Sequence, residues 1–561
     1  MSDVAEVALA ERLDEIQGRE GDILAAVQRS EIGERLGRSG WAGSAHRLEK
    51  QDAREYLLAY EAAAADQAAE IVSSMSSGEW LWYLRRVPAA FTAGSVRTTS
   101  GYVREVAETM SGASEALPTH EPGRYKMGYV LPVNDFVARN VLALIKIARL
   151  VTYTHSMARW CGKGAALKRQ ADGYPYAVEV QNIKKFVQIY DDRMSRDYGN
   201  LLGGLGTALP ALNKRGVFTS RGVQMQFFAE TRDAESITLP HPVTGQEIHF
   251  VPNFWRTGVP FNHVIDLVEN LDHSTARPDD GILGLNLLLL QTASDLLGVS
   301  PGSTIDMLRR GYSIMTLRTL KSELGATLRS IRADVDTDSL PFVFPDSADA
   351  ALQSLLSWQG TTFPLFPSAP IRELADAVIL DVVGATTSLR RILTYSPADG
   401  EIANVRGRHF ERKLQELIDS TPARPNGMAR KLINRKVKRK GSNYTDIDAV
   451  AELNGTLFLI DCKSKRYDEA YETGAWSAVK NLRDALDKDA TKWQEQIKTI
   501  ARERLATELE GFNDIRGFVC TPFVPYLENE DSLQYVIDGL RVVASSGEFE
   551  AWINQNGPER V

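Results

Sequence analysis

The sequence predicts an α+β, multidomain protein, in which a large, mainly helical N-terminal region precedes a domain built on a mixed sheet flanked by helices. In residues 1–395, apolar residues recur at helical spacing, as in 52–74, 133–160, 282–297 and 371–393. After residue 400 the predicted order of elements is α-β-β-β-α-α-β-α, which is typical of a mixed sheet covered by helices. We therefore predict two parts, residues 1–395 and 400–545, joined by the turn-rich segment 395–400.

The bulk composition is that of a globular protein: 561 residues, 43% apolar and 25% charged. The first residues lack the basic and apolar segments of a signal peptide. The longest apolar stretch, 282–290, is far shorter than the ~20 residues that a membrane span needs. Three widely separated cysteines indicate neither a disulfide framework nor a zinc site. We expect a cytoplasmic protein without membrane association.

The N-terminal region contains no motif that carries chemistry: no Walker A sequence, no His-Glu-x-x-His and no Gly-x-Ser-x-Gly. A strand-like, β-rich insert is predicted at about 216–256, where aromatic and β-branched residues alternate between turns. We expect this region to recognise a substrate, or to dock a protein partner or a second copy of the chain.

In the C-terminal part we predict a helix over 402–419, a basic strand near 431–439, and a hairpin around Asn454-Gly455. Helices at about 469–487 and 490–509, a strand at 515–520 and a final helix near 531–543 follow. Asn-Gly between two β-type runs is the strongest short-range hairpin signal, because a type I′ turn needs positive φ at both central residues.

A two-residue turn at Asn454-Gly455 places Asp448 directly opposite Asp461, and Asp446 opposite Lys463. All four side chains then project from one face, since side chains alternate along a strand. Directly opposed like charges are destabilising, and a divalent cation between the two carboxylates would remove that penalty. The hairpin therefore predicts a metal site.

A basic run precedes the hairpin, with seven cations and no anion between residues 430 and 440. These are Arg430, Lys431, Arg435, Lys436, Lys438, Arg439 and Lys440. One interpretation is a nucleic-acid-binding strand whose phosphate contacts position substrate without reading its sequence. The other is an edge strand charged to prevent aggregation.

Residues 402–525 resemble the PD-(D/E)XK nuclease superfamily, which has the restriction-endonuclease-like fold. The resemblance lies in Gly407-Arg408-His409-Phe410-Glu411 on the first helix, in Asp448, and in Asp461-Cys462-Lys463. The sequence departs from the family pattern at two positions. Ile447 replaces the proline before Asp448, and Asp461 stands where Glu is commoner.

The resemblance implies a metal-dependent endonuclease that hydrolyses phosphodiester bonds in DNA, with Mg²⁺ or Mn²⁺ as cofactor, in restriction or anti-phage defence. Asp448 and Asp461 would bind the ion together with the backbone carbonyl of Cys462. Lys463 would orient the attacking water and stabilise the transition state, and Glu411 would complete the metal shell.

Other interpretations of the same residues stay open. The hairpin face could be solvated, with Lys463 paired to Asp446, and Glu411 could be a surface residue of its helix. The domain could also be a catalytically inactive scaffold that binds nucleic acid or protein. We expect Cys462 to be buried, and Trp493, Gln494 and Gln496 to lie on a helix surface.

Overall fold

The computed structural model describes residues 4–41, 47–92, 100–125, 128–170, 173–178, 181–203, 237–240, 247–250, 280–296, 306–307, 310–334, 343–358, 369–385, 400–464, 471 and 474–557. The helices described are α1 (Val4–Leu36), α2 (Lys50–Val72), α3 (Ser77–Leu84), α4 (Ala89–Thr92), α5 (Ser100–Gly112), α6 (Asp135–Cys161), α7 (Gln181–Gly203), α8 (Asp280–Asp295), α9 (Leu317–Asp334), α10 (Ala348–Leu356), α11 (Gly400–Asp419), α12 (Trp476–Glu503), α13 (Glu530–Leu533) and α14 (Ser546–Asn556).

The strands described are β1 (Arg47–Glu49), β2 (Gly123–Tyr125), β3 (Gly128–Val130), β4 (Ala166–Arg169), β5 (Pro175–Val178), β6 (Ile237–Pro240), β7 (Glu247–Phe250), β8 (Tyr312–Thr316), β9 (Ile371–Leu374), β10 (Ala377–Asp381), β11 (Arg435–Arg439), β12 (Ser442–Ile447), β13 (Ala449–Leu453), β14 (Thr456–Cys462), β15 (Asp514–Thr521), β16 (Tyr535–Ile537), β17 (Leu540–Arg541) and β18 (Val543–Ser545). Within the described ranges, no helix has both the length and the apolar character that crossing a membrane requires.

The N-terminal region is largely helical, as predicted. Its first core lies among α1, α2, α3, α5 and α6, and it buries Trp80 and Trp82 completely. Local signals set the helix starts. The side chain of Asn134 caps α6 by accepting a hydrogen bond from Val137 N at 3.0 Å, and Ser76 with Glu79 forms a capping box on α3.

A second N-terminal core packs α8, α9 and α10 against an antiparallel sheet in the order β8-β10-β9. The helix predicted over 371–393 is wrong, because 371–381 forms the hairpin β9-β10. Every residue of β10 is buried, and periodicity alone cannot distinguish such a continuous apolar run from a buried helix. Ala375, with a φ of 52°, makes the turn.

Part of the predicted β-rich insert is confirmed, since β6 and β7 pair in antiparallel. The strand-like segments at 217–228 lie outside the described residues, and so does the predicted joint at 395–399.

The C-terminal unit contains a four-stranded mixed sheet in the order β13-β14-β15-β18. β13 and β14 pair in antiparallel, whereas β14 with β15 and β15 with β18 pair in parallel. α12 connects the two parallel strands β14 and β15, as parallel pairing requires a crossover connection. A separate ribbon, β11-β12, leads into β13. A mixed sheet after a helical N-terminal region is therefore confirmed.

Several predicted boundaries in this unit are wrong. The two helices expected at 469–487 and 490–509 are one helix, α12, which has an uninterrupted buried stripe. The final helix expected near 531–543 is replaced by α13 and strands β16 to β18, because 542–544 is a buried apolar run that extends the sheet. The basic strand begins only at Arg435, after a single 3₁₀ turn (Ala429–Leu432).

Candidate active site

The turn that sets the hairpin register has the predicted geometry. Asn454 and Gly455 have φ values of 51° and 80°, which a type I′ turn needs. Leu453 pairs with Thr456 and Ala449 with Ile460. The same register, continued by one residue, brings Asp448 opposite Asp461.

Asp448 lies at the point where β12 ends and β13 begins, and its side chain folds over the neighbouring strand. Its Oδ2 accepts a hydrogen bond from Cys462 N at 2.7 Å, and its backbone N–H donates to Ile460 O at 3.2 Å. The Asp448 and Asp461 carboxyl groups are close enough for each to influence the ionisation of the other. The predicted register, in which Asp448 lies opposite Asp461, is confirmed by the pairing of Ala449 with Ile460.

Lys463 lies beside the pair. Its Nζ donates to Asp461 Oδ1 at 2.7 Å, and both side chains are mostly buried, with exposed fractions of 27% and 14%. Its backbone N–H donates to Cys520 O at 2.8 Å. The cluster is thus at the carboxyl ends of β14 and β15, the edge of a parallel sheet where ligands bind in α/β proteins.

Asp446 does not belong to the cluster. It is exposed, and its strand partner is Lys436 rather than Lys463. The alternative in which Lys463 pairs with Asp446 on a solvated face is therefore wrong. The strand is interrupted at Asp448, so the pattern of β12 does not continue across the hairpin.

Glu411 on α11 lies within electrostatic range of the cluster. It is half-buried, and its charge acts on Asp448 as well as on Cys462. Gln415, one turn further along α11, holds this helix on the sheet. Its Oε1 accepts from Val450 N at 2.9 Å and its Nε2 donates to Val450 O at 3.2 Å. Sequence reasoning missed Gln415, although its spacing of four from Glu411 places both on one helix face.

Burial and mutual repulsion raise the pKa values of the acidic groups in the cluster. Burial, together with the charges of Asp461 and Glu411, raises the pKa of Asp448 to about 7 against the opposing hydrogen bond from Cys462 N–H. Burial also raises the pKa of Asp461, against the opposing charge of Lys463, and it raises that of Glu411.

For Lys463, the effect of neighbouring charges on the pKa is larger than the effect of burial. Burial lowers its pKa, but the charges of Asp461, Asp489 and Asp448 outweigh burial and the net shift is upward. Lys463 is therefore a permanent cation in the middle of an acidic cluster, which is the arrangement that stabilises developing negative charge.

Asp489 on α12 was missed by sequence reasoning. Trp493 Nε1 donates to Leu459 O at 3.2 Å, which fixes the helix over β14. Asp489 lies four residues before Trp493 on the helix, and Asp461 lies two residues after Leu459 on the strand. Both intervals span about 6 Å, so Asp489 lies near Asp461. Its charge acts on both Asp461 and Lys463. No signal in the sequence distinguished it from other acidic residues of the helix.

The expected surface position of Trp493 and Gln496 is wrong, because both are buried. Gln496 Nε2 donates to Tyr444 O at 3.2 Å, and Gln494 Nε2 donates to Gly517 O at 2.6 Å. These amides attach α12 to β12 and β15. Cys462 is buried, as expected.

The basic run divides into two classes of residue. Its arginines pair with acidic residues of the same unit: Arg430 with Asp419 at 2.5 Å, Arg435 with Glu508, and Arg439 with Glu503 at 2.5 Å. Its lysines are exposed and form no ion pair with a described residue; they are Lys431, Lys436, Lys438 and Lys440. Within this run only the lysines offer free charge, which the sequence did not reveal.

Among the described residues, no group of three or more His, Cys, Asp and Glu side chains is positioned to hold a metal ion. The donor chemistry of the Asp448–Asp461 pair nevertheless fits magnesium, which needs only one or two carboxylates with water and substrate oxygens. The hairpin register places these two carboxylates opposite each other on neighbouring strands. The backbone carbonyl of Cys462 as a further ligand stays a prediction.

No protein-family model, no curated protein and no solved structure matches this chain. The function is therefore argued from the geometry of the site.

Proposed function

We propose that the C-terminal unit is a PD-(D/E)XK-type nuclease domain and that the chain is a magnesium-dependent endonuclease acting on DNA. The observation that carries this proposal is the convergence of Asp448, Asp461 and Lys463 at the carboxyl end of β14, with Glu411 facing them from α11. This set of groups has the types and the order along the chain that the resemblance implies. A role in restriction or anti-phage defence belongs to the same proposal.

The residues present have distinct roles in this reaction. A divalent ion bound at the carboxylate pair would lower the pKa of a bound water and offset charge on the phosphate. Lys463, held by Asp461, stabilises the negative charge that develops on the phosphate oxygens. The water oxygen forms a bond to phosphorus, the bond from phosphorus to one sugar oxygen breaks, and that oxygen takes up a proton.

The exposed lysines of the β11-β12 ribbon support nucleic acid as the substrate. Lys436 is the strand partner of Asp446, two residues before Asp448, so the ribbon leads directly into the cluster. Phosphate contacts by such lysines position a substrate without reading its sequence. The helical N-terminal region would then recognise the substrate, or dock a protein partner or a second copy of the chain.

One observation favours the second candidate, a catalytically inactive scaffold. The cluster is partly neutralised from within, because Lys463 pairs with Asp461 and the pKa of about 7 lets Asp448 hold a proton near neutrality. Such a site is stable without a cation, so activity rather than structure separates the two candidates.

The test is incubation of the purified full chain with circular and linear duplex DNA, single-stranded DNA and RNA, with and without Mg²⁺ or Mn²⁺. We expect metal-dependent cleavage of DNA that is abolished by Asp461→Asn and Asp448→Asn. Lys463→Met should reduce the rate by ~10²–10³-fold, the effect of losing one electrostatic stabiliser, while calorimetry still detects Mn²⁺ binding.

Asp446→Asn is the matched control, because Asp446 is exposed and outside the cluster; it should cleave like the wild type. Cleavage that survives Asp461→Asn would place the chemistry elsewhere. A wild-type protein that binds DNA but cleaves no substrate with either metal would establish the scaffold.

A further inference from the structure

A buried lysine lies where the helical region meets the C-terminal unit. Lys163 is the second residue after the end of α6 and is only 6% exposed. Its Nζ lies 4.8 Å from the ring centroid of Tyr190 on α7 and 5.4 Å from that of Tyr526 in the C-terminal unit. Its hydrogen-bond acceptor among the described residues is Arg159 O, at 3.3 Å. We call Lys163, Tyr190 and Tyr526 the tyrosine cage.

The surrounding contact is close-packed. A Cβ added to Gly162 would overlap the backbone of Gly474, and one added to Gly474 would overlap that of Ala158. Tyr526 N–H donates to the hydroxyl of Tyr471 at 2.8 Å. The end of α6 is thus seated on the segment that precedes α12, with little room for adjustment.

A second contact holds α7 on the same unit. Arg193 donates to both carboxylate oxygens of Glu548, at 2.7 and 2.9 Å, and to Val543 O at 3.0 Å. Arg193 and Glu548 are both largely buried, and they form an ion pair in which both carboxylate oxygens accept hydrogen bonds. The cage therefore lies within an extensive contact between the two parts of the chain.

Burial, helped by the charge of Arg159 and opposed by that of Asp191, lowers the pKa of Lys163 to about 7. Asp191 is itself paired with Arg159 at 3.2 Å. The other charged or titratable groups that face the cage are Tyr190 on α7, and Tyr471, Tyr526 and the Arg483–Glu528 pair in the C-terminal unit. Burial raises the pKa of Tyr471 and Tyr526, so both stay neutral around neutral pH.

We propose that the tyrosine cage is a pH-sensitive contact between the helical region and the C-terminal unit, tightened when Lys163 loses its proton. A protonated ammonium group has three donors, whereas the described residues around Lys163 offer it one carbonyl and two ring faces. Cation–π attraction returns only part of the hydration that the buried charge loses. The neutral amine fits the same space at lower cost.

The expected size of the effect follows from linkage. With a pKa of about 7 in the closed contact and an ordinary value of 10.5 once Lys163 is exposed, the open form binds the proton more tightly above neutrality. The closing equilibrium therefore rises about tenfold per pH unit from ~7 to ~10 and is flat in acid. This inference does not depend on nuclease activity.

Hydrogen exchange of the full-length chain, followed by mass spectrometry from pH 5.5 to 9 and corrected for intrinsic rates, tests the proposal. Peptides covering 157–165 and 523–529 should show protection that is flat below pH 6.5 and rises about tenfold per unit above 7. A peptide from α2, within 56–64, is the internal control and should not follow this profile.

Three variants separate the amine from the fold. Lys163→Met is neutral and unbranched, and its protection should be high and independent of pH. Lys163→Arg stays charged and should show low protection throughout. Lys168→Met, at an exposed lysine of β4, should retain the wild-type profile.

A flat profile in the wild type would overturn the proposal without any variant. A rise that persists in Lys163→Met would do the same. If Lys163→Met does not fold, the wild-type profile and Lys163→Arg still decide, since a rise in Lys163→Arg equal to that of the wild type excludes the amine as the titrating group.

Discussion

At the scale of single residues, the protonation of Asp448 should make cation binding at the site depend on pH. Its carboxyl group accepts the Cys462 N–H at 2.7 Å, and the charge of Asp461 acts on it. Burial raises its pKa to about 7, far above that of an exposed aspartate. Below that pH it is largely protonated, and a protonated carboxyl group binds a cation poorly.

We therefore expect Mn²⁺ affinity to fall about tenfold for each pH unit below ~7, because one proton must leave Asp448 before it ligates. Titration calorimetry between pH 5.5 and 8 measures this slope. Affinity that is constant from pH 5.5 to 8 would contradict a ligand role for Asp448.

The raised pKa of Asp448 also predicts how the stability of the metal-free protein changes with pH. In the unfolded chain Asp448 titrates near 3.8, whereas in the folded protein the pKa is about 7. Between these values the folded state binds more protons, so the metal-free protein loses stability as pH rises from ~4 to ~7. Asp448→Asn keeps an acceptor for Cys462 N–H and removes the charge.

This substitution should raise the melting temperature of the metal-free protein at pH 8, by about 2–4 °C for each kcal/mol of stability recovered in a unit of this size. Differential scanning calorimetry at pH 8 and pH 4.5 gives the comparison. The gain should be much smaller at pH 4.5, close to the unfolded-state pKa of 3.8. An equal gain at both pH values would show that the ionised carboxylate is not its cause.

At the scale of elements, Gln415 decides whether α11 presents Glu411 to the cluster. Its side-chain amide satisfies both the N–H and the C=O of Val450 on the edge strand β13. Gln415→Leu keeps the volume and leaves two backbone groups without a partner. We expect a loss of about 1–3 kcal/mol for each group left unpaired and buried, measured by urea unfolding. Glu416→Leu, at an exposed position of the same helix, is the control and should change stability little.

The lysines and the arginines of the β11-β12 ribbon should contribute differently to DNA binding. Replacing Lys436, Lys438 and Lys440 by Ala should weaken DNA binding for all sequences and lower the salt slope by up to ~3, about 0.9 for each phosphate that is no longer neutralised. Arg439→Gln should leave the slope almost unchanged, because Glu503 already pairs with that guanidinium. Filter-binding titrations between 50 and 200 mM salt provide the slopes. Equal slopes in the wild type and the triple variant would leave the ribbon as a charged edge strand.

At the scale of the whole molecule, a buried ion cluster ties the two N-terminal cores together. Arg85, at the end of α3, donates to Glu108 of α5 at 2.7 Å and to Asp381 of β10 at 3.3 Å. It also donates to Arg310 O at 2.5 Å. Each of the three ionised side chains is almost completely buried, so none can exchange its partner for water.

Removing the charge of one side chain in this buried ion cluster should therefore destabilise the fold. Glu108→Gln leaves the guanidinium of Arg85 partly uncompensated, and we expect a loss of ~3–5 kcal/mol in the free energy of unfolding. Urea unfolding followed by circular dichroism measures it. Glu115→Gln, at an exposed position shortly after α5, should have little effect. A loss equal in both variants would mean that the cluster contributes no more than surface charge.

The sequence by itself determined what depends on neighbouring residues. The Asn454-Gly455 turn fixes the register of its hairpin, and the register places Asp448, Asp461 and Lys463 together, since strand geometry alone relates them. The long amphipathic helices α2, α6, α8 and α11 were predictable for the same reason. The roles proposed for the cluster follow from residue types and a resemblance, and they stay predictions.

Only the tertiary structure decided what depends on residues far apart in the chain. Gln415 meets β13 and Asp489 lies near the cluster because helices pack on a particular part of the sheet. Short buried runs such as 371–381 and 542–544 become strands because a sheet edge is available beside them. The arginines of the basic run are neutralised by acidic residues that lie near them only after folding, and Lys163 is enclosed by tyrosines from two distant segments. Such contacts leave no local pattern, because the free energy of burial and of ion pairing depends on three-dimensional neighbours.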